Sequence, residues 1–208
     1  VSDAFVPAYF DPLSTTQLEA IICGQFERQP LLSLKDPVPT FNGSGLYAIY
    51  YVGRTHPLYG KLAHYKIPVY AGQARSHVSA TGVSKRELRP LRSRIREHRR
   101  SIEHCEGLDQ VEFAVRLLLM PDVHADLGEN GLRVGYQPVW NSVLKGFGSH
   151  EQGSTTRQSK RSEWDTVHQG RKRTFGATTH DADKLARKVR THIDKQIATY
   201  DSLPWHDS

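Results

Sequence analysis

Between Leu46 and Val52 the chain reads LYAIYYV, a short tyrosine- and isoleucine-rich run with the composition of a β-strand. A period of two puts Tyr47, Ile49 and Tyr51 on one face and Leu46, Ala48, Tyr50 and Val52 on the other. The next stretch, GRTHPLYGKLAHYK, mixes turn residues with both polarities, and IPVYAG then reads as a second short strand. Two neighbouring strands of this kind predict an antiparallel pair joined by an elaborated loop. A third strand is predicted over 110–120, QVEFAVRLLLM.

Helical spacing surrounds these strands. TTQLEAIICGQFE carries Leu18, Ile21, Ile22 and Phe26 near a helical repeat, and the proline-rich LKDPVPTFNGSG after it reads as a loop. A helix begins between 85 and 91. Either Ser84 and Glu87 form a capping box or Pro90 sits in the first turn, and Leu91, Ile95 and Ile102 give the apolar stripe through about His104. VHADLGENGLRVGYQPVW predicts a helix around Asp126 to Val134, ended near Gly135 and Pro138. Leu185, Val189, Ile193 and Ile197 mark an amphipathic C-terminal helix whose stripe serves the core or a dimer contact. Residues 146–176 are rich in Gly, Ser, Thr, Gln and Arg, a composition suited to lying against a partner.

With 208 residues and 38% hydrophobic content, the chain can bury one sizeable core. The expected organisation is an N-terminal arm over 1–44, a core over 45–145 and a C-terminal extension over 146–208, all in one compact domain. No apolar run approaches the roughly 18 residues of a membrane span, and the first residues lack signal-peptide character, so the expected location is cytoplasmic. Cys23 and Cys105 have no metal-ligand spacing and suggest neither a disulfide framework nor a structural zinc.

Charge changes the picture most. The chain carries a net +6, and residues 85–100 hold Lys85, Arg86, Arg89, Arg92, Arg94, Arg96, Arg99 and Arg100 against Glu87 and Glu97. So local a concentration of cations favours a polyanionic partner, above all nucleic acid.

GLY at 45–47 and YAG at 70–72 resemble the two halves of the GIY-YIG nuclease motif. In order there follow Arg94 with His98 four residues on, Glu129, and Asn141 in PVWNSVLKGFG, a succession that resembles the type II restriction endonucleases of that superfamily. The resemblance covers about 43–150, with an echo in SEWDTVHQGR. It implies an α+β fold, a small antiparallel three-stranded sheet flanked by helices, with N- and C-terminal helical and loop extensions. It also implies a catalytic set of Tyr47, Tyr70, Arg94, His98, Glu129 and Asn141. Tyr47 and Tyr70 are 23 positions apart, wider than the compact motif, so the loop between them is an insertion available to DNA. Gln73 stands where many relatives carry lysine, with Arg75 nearby. Asn130 and Gly131 predict a short or irregular helix around Glu129.

The chemistry of these residue types suits phosphodiester hydrolysis, which needs an activated water, charge stabilisation and a protonated or metal-held leaving oxygen. Phenols hydrogen-bond a water or phosphate without adding charge, and one of pKa about 10 serves as a base only when a cation lowers it. Arg94 offers a planar donor fork for a phosphate, and His98 can relay a proton or orient a tyrosine. Glu129, as the family carboxylate, implies one Mg2+ per active site completed by waters and phosphate oxygens. The amide of Asn141 can hold a phosphate or water. Gly45 and Gly72 permit close backbone approach.

Phosphate contacts are expected from Arg92, Arg96 and Arg99. Base or backbone contacts are expected from Arg75, His77, Arg157, Gln158, Lys160, Arg161, Arg171, Lys172 and Arg173. Arginine favours guanine, which suggests a GC-rich site, and the resemblance implies the palindrome CCGCGG. A palindrome suggests a two-fold dimer, and a restriction enzyme implies a cognate DNA methyltransferase in the cell. The competing readings are a non-catalytic DNA-binding protein and a structure-selective repair or mobile-element nuclease.

Overall fold

Strand β2 (Gly45–Tyr51) is hydrogen-bonded on both edges, antiparallel to β3 (Pro68–Ala74) on one side and to β6 (Phe113–Leu119) on the other. All seven of its residues are buried, so it is covered on both faces as well. The computed structural model describes residues 15–78, 85–86, 88–148, 160–171 and 178–206.

The sheet has four strands rather than the expected three: β1 (Leu32–Ser33) adds two residues to the outer edge of β6, giving the order β1-β6-β2-β3. A two-residue strand between prolines leaves no periodicity to read. A separate small ribbon pairs β4 (His77–Val78) with β5 (Lys85–Arg86). The third strand begins later than its composition predicts, because Gln110–Glu112 form a 3-10 turn capped by the Asp109 carboxylate, which accepts from the Val111 amide.

Register explains the tyrosines. Tyr47 faces Gly72 and Ile49 faces Tyr70, so Tyr47 and Tyr70 are diagonal neighbours on one face, with ring centroids 6.0 Å apart. Against that face lies α2 (Pro90–Glu103), whose first residue is the proline and whose stripe Leu91, Ile95 and Ile102 is fully buried. Proline fits this position because its missing N–H would be unpaired there anyway. Ser84 and Glu87, the alternative start, lie outside the described residues.

The opposite face is covered by α1 (Thr15–Glu27) and α3 (Asp122–Tyr136), and the described part of the N-terminal segment is therefore structural: Cys23 and Phe26 are completely buried. Ile21, expected in the stripe, is 68% exposed, and Cys23 takes the inward position. Helix α3 runs four residues earlier and two later than expected, closed by Gln137 in the left-handed conformation. Its glycines are contact positions rather than breakers. A Cβ at Gly128 would collide with Leu46 and Ile22, and one at Gly131 would lie 2.8 Å from the Cys23 sulfur. Close approach to α1 and β2 thus offsets the usual helix cost of glycine, about 1 kcal/mol each.

Glu27 at the end of α1 forms a buried ion pair with Arg116 of β6, and the Tyr136 hydroxyl donates to the same carboxylate at 2.9 Å. The inter-strand insertion folds inward through Leu58, Tyr59 and Leu62, all buried around a 3-10 turn at Gly60–His64. The short α4 (Val139–Ser142) and α5 (Glu163–Val167), the long α6 (Ala182–Thr199) and a 3-10 turn at Tyr200–Ser202 complete the described elements. Helix α6 buries Leu185, Val189, Ile193 and Gln196, with Ile197 half-buried, so the C-terminal stripe serves the core. One core cluster extends from Cys23 to Trp205. Both cysteines are free and buried, and burial pushes the Cys23 thiol up to about 12. No described helix is long and apolar enough to cross a membrane.

Candidate active site

Tyr47, Tyr70, Arg94 and His98 come together where β2, β3 and α2 meet. The Tyr47 hydroxyl and His98 Nε2 are 2.7 Å apart, in a hydrogen bond whose donor depends on the histidine tautomer. The His98 ring lies 5.2 Å from each of the two tyrosine rings. Both Tyr47 and His98 are buried.

Gly72 makes this geometry possible. A Cβ there would stand 2.5 Å from the Tyr47 oxygen and 2.7 Å from Cζ, so the phenol reaches His98 over a bare backbone. Gly45 has a φ of +154°, and a Cβ on it would run into the Leu118 carbonyl, so it allows β2 to close on β6.

Electrostatics set the protonation. Burial pushes the Tyr47 phenol well above its ordinary range, Tyr70 adds to this, and Arg94 pulls the other way without winning. Burial also raises Tyr70, opposed by Arg94 and by a hydrogen bond from Tyr47, while the nearby charge of Glu129 raises it further. At neutral pH both are phenols. Arg94 is mostly buried, donates to Glu97 Oε2 at 2.9 Å and to the Gly148 carbonyl, and stands within hydrogen-bonding reach of Tyr47.

Three acids on α3 line up at i, i+4 and i+7 along β3. Asp122 accepts from the Ser76 amide and hydroxyl, Asp126 accepts from Gln73 and Arg75, and Glu129 sits close enough to Tyr70 to shift it. Gln73 is thereby tied to a carboxylate. Glu129 is half-buried, with Arg133 3.7 Å away. The helix that presents it is a regular one of 15 residues.

Asn141 uses its amide on the protein. Its Oδ1 accepts from the Ala71 amide and its Nδ2 donates to the Ala71 carbonyl, each at 2.9 Å. It thus mimics a further strand on the open edge of β3, beside Tyr70.

Phe147 and Gly148, absent from the expected set, wall the site. The Phe147 ring stacks on His98 at 4.7 Å and 19°, and it meets Tyr70 edge-on at 5.0 Å. A Cβ on Gly148 would occupy the place of the Tyr70 hydroxyl. Arg171 holds this segment. Its guanidinium donates to the carbonyls of Phe147 (2.8 Å) and Gly146 (3.0 Å), pairs with Asp165 through Nε and Nη2 (2.8 and 2.7 Å), and covers the Trp164 ring. The Arg171 side chain is 6% exposed with its donors committed, so it builds the site wall and does not reach out to DNA. An arginine at the head of the basic run Arg171, Lys172, Arg173 gives no sign of this.

The other expected contacts divide. Arg92 donates to the Pro39 carbonyl, Arg99 to the Asp36 carbonyl and Gln110, and Arg75 pairs with Asp126 in an exposed bridge. Arg96 and Lys160 are exposed, and Arg161 is half-buried with its amide bonded to the Thr178 carbonyl. His77 lies in β4. Arg157, Gln158, Lys172 and Arg173 lie outside the described residues.

Two phenols, a guanidinium, an imidazole and one carboxylate can bind a phosphate, move a proton and leave room for a cation. No cluster of three His, Cys, Asp or Glu among the described residues is placed to hold a metal, so Glu129 would be a lone protein ligand. That donor set fits Mg2+, which retains several waters and takes one or two carboxylates plus phosphate oxygens.

The Eco29kI GIY-YIG domain model matches residues 39–199. No curated protein sequence matches the chain.

Proposed function

The chain belongs to the Eco29kI GIY-YIG family of restriction nucleases, which act on DNA, and on that premise we propose that it is a type II restriction endonuclease cutting both strands of a short, GC-rich palindrome. The observation that carries the catalytic reading is the 2.7 Å bond between Tyr47 and His98 beneath Arg94.

In this reading a water is aligned on the scissile phosphorus by the Tyr47 hydroxyl. As the water attacks, its proton passes to the Tyr47 oxygen while the Tyr47 proton passes to His98 Nε2, so the buried phenol never carries a lasting charge. That path suits a tyrosine whose phenolate is disfavoured by burial. Arg94 offsets charge on the non-bridging oxygens, and the Tyr70 hydroxyl hydrogen-bonds one of them. Bound Mg2+ on Glu129 would supply further charge stabilisation at the phosphate and the leaving oxygen. Asn141 acts as a positioning residue, fixing the edge strand that carries Tyr70.

A palindromic site calls for two copies of the chain, one per strand, and CCGCGG is the first sequence to try. Sequencing the ends from mixed-site, unmethylated DNA incubated with Mg2+ or with chelator tests the whole reading. Discrete Mg2+-dependent ends support it; binding without scission favours a non-catalytic DNA-binding protein. Tyr47→Phe and Glu129→Ala each abolish scission while keeping duplex binding, and wild-type cleavage by either overturns the assignment of the site.

A further inference from the structure

The solvent side of α6 faces α4 and α5 across a groove of about 640 Å³. Five cations line it, Lys145, Lys184, Arg187, Lys188 and Lys195, together with His192. All five are exposed, and none forms an ion pair among the described residues. The single carboxylate in the lining, Glu163, lies 3.9 Å from His180.

Such an arrangement has a cost. Like charges at i,i+3 and i,i+4, as at Lys184, Arg187 and Lys188, weaken a helix by a few tenths of a kcal/mol per pair. The basic block of α2, by contrast, spends many of its donors on the protein itself, at Pro39, Asp36, Gln110, Glu97 and Gly148. Among the described residues, a group of five exposed cations without an ion partner thus gathers at the α6 groove.

We propose that this groove holds the phosphate backbone of duplex DNA beside the cleavage site, a proposal that rests on the nuclease reading. Three features select a duplex over other anions. The cations do not converge on one point: Lys184 to Lys195 spans roughly 16 Å of helix, where duplex DNA presents a charge about every 1.7 Å. The groove's rim is joined to the site along the chain: Ser142 follows Asn141, and Lys145 precedes the Gly146–Gly148 wall. No large hydrophobic residue is exposed on α6, which leaves nothing to insert into a lipid surface.

The test is the salt dependence of binding to a non-cognate duplex of about 30 base pairs in chelator, followed by fluorescence anisotropy from roughly 50 to 200 mM salt. Each lost phosphate contact lowers the slope of log K against log salt by about 0.9. The triple variant Lys184→Gln, Arg187→Gln, Lys188→Gln is expected to lose about 2 to 2.7 from that slope with an undiminished unfolding temperature. An equal charge change at the exposed Arg28, Lys35 and Lys66 is expected to lose less than about 1. A groove variant with the wild-type slope, or equal losses for both triple variants, overturns the proposal while leaving the nuclease reading intact. Competition by polyglutamate as strong as by duplex, charge for charge, also overturns it in favour of an acidic protein partner. Absence of any duplex binding by the wild type removes the nuclease reading and the groove with it.

Discussion

Substituting Gly72 by alanine tests the geometry of the site more sharply than removing a catalytic group. The new Cβ would lie 2.5 Å from the Tyr47 oxygen, 2.7 Å from Cζ and 3.1 Å from Cε1, where comfortable contact begins near 3.5 Å. Tyr47 is 1% exposed, so its ring has no free space to enter and must move by about 1 Å against its neighbours. The bond to His98, now 2.7 Å, would then exceed hydrogen-bonding range or lose its angle. Overpacking of this kind costs about 1–3 kcal/mol. For a protein of this size 2 kcal/mol corresponds to a fall of about 4–8 °C in unfolding temperature. Displacement of a reacting group by about 1 Å costs on the order of a hundredfold in rate.

Thermal unfolding and single-turnover cleavage would be measured for Gly72→Ala, Tyr47→Phe and the double variant. The double variant removes the atom closest to the new methyl, so its stability loss is expected to fall short of the sum of the two single losses by about 1 kcal/mol. Its cleavage stays lost. Full activity and unchanged stability in Gly72→Ala would refute the close approach of Tyr47 to the β3 backbone, and with it the explanation of why this glycine follows Tyr70 and Ala71.

Two further outcomes follow from the interior. Arg171→Met leaves the Asp165 carboxylate buried without its partner and is expected to destabilise by about 3–5 kcal/mol; adding Asp165→Leu recovers part of the stability but not cleavage, because Phe147 and Gly146 still lack their donor, as unfolding and cleavage assays would show. Burial, helped by His56 and Arg171, holds the His168 ring down to about 3 against about 6.5 in the unfolded chain. The unfolded state therefore binds the extra proton between those values. Stability is fully present above about pH 6.5 and declines as pH falls toward 3, by about 2 kcal/mol at pH 5, and denaturant titrations across that range that show a flat midpoint would contradict it.

The strands that carry the tyrosines, Pro90 as one of two possible starts of α2 and the Arg94–His98 spacing were legible because each is a local pattern of composition, period or motif. The errors were of another kind. Gly131, with Asn130, reads as a sign of a short or irregular helix, since its value lies in contacts with Cys23 and Glu19, more than 100 residues away. Arg171 reads as a DNA contact because its partners are a carboxylate six residues back and two carbonyls of a segment about 25 residues earlier. Asn141 stood in a recognisable string, yet its bond to the open edge of β3 depends on which strand ends the sheet.

The same limit appears in two buried tyrosine–histidine pairs that are chemically alike. Tyr47 and His98 are 2.7 Å apart, and Tyr59 and His168 are 2.6 Å apart. Residue type and distance do not separate them; surroundings do. The second pair receives the Trp140 indole N–H at 2.9 Å and is packed by Trp164 and His56, with desolvation holding the imidazole neutral, so its proton has nowhere to go. The first pair has Arg94 at its oxygen and Glu129 acting on the adjacent Tyr70, with 19% and 21% of their side chains exposed. The charged groups around it give an incoming phosphate something to bind and a proton somewhere to move. A buried Tyr–His bond is thus a structural element by default, and the one beneath Arg94 becomes a candidate for catalysis only through the cation and the carboxylate that open onto solvent beside it.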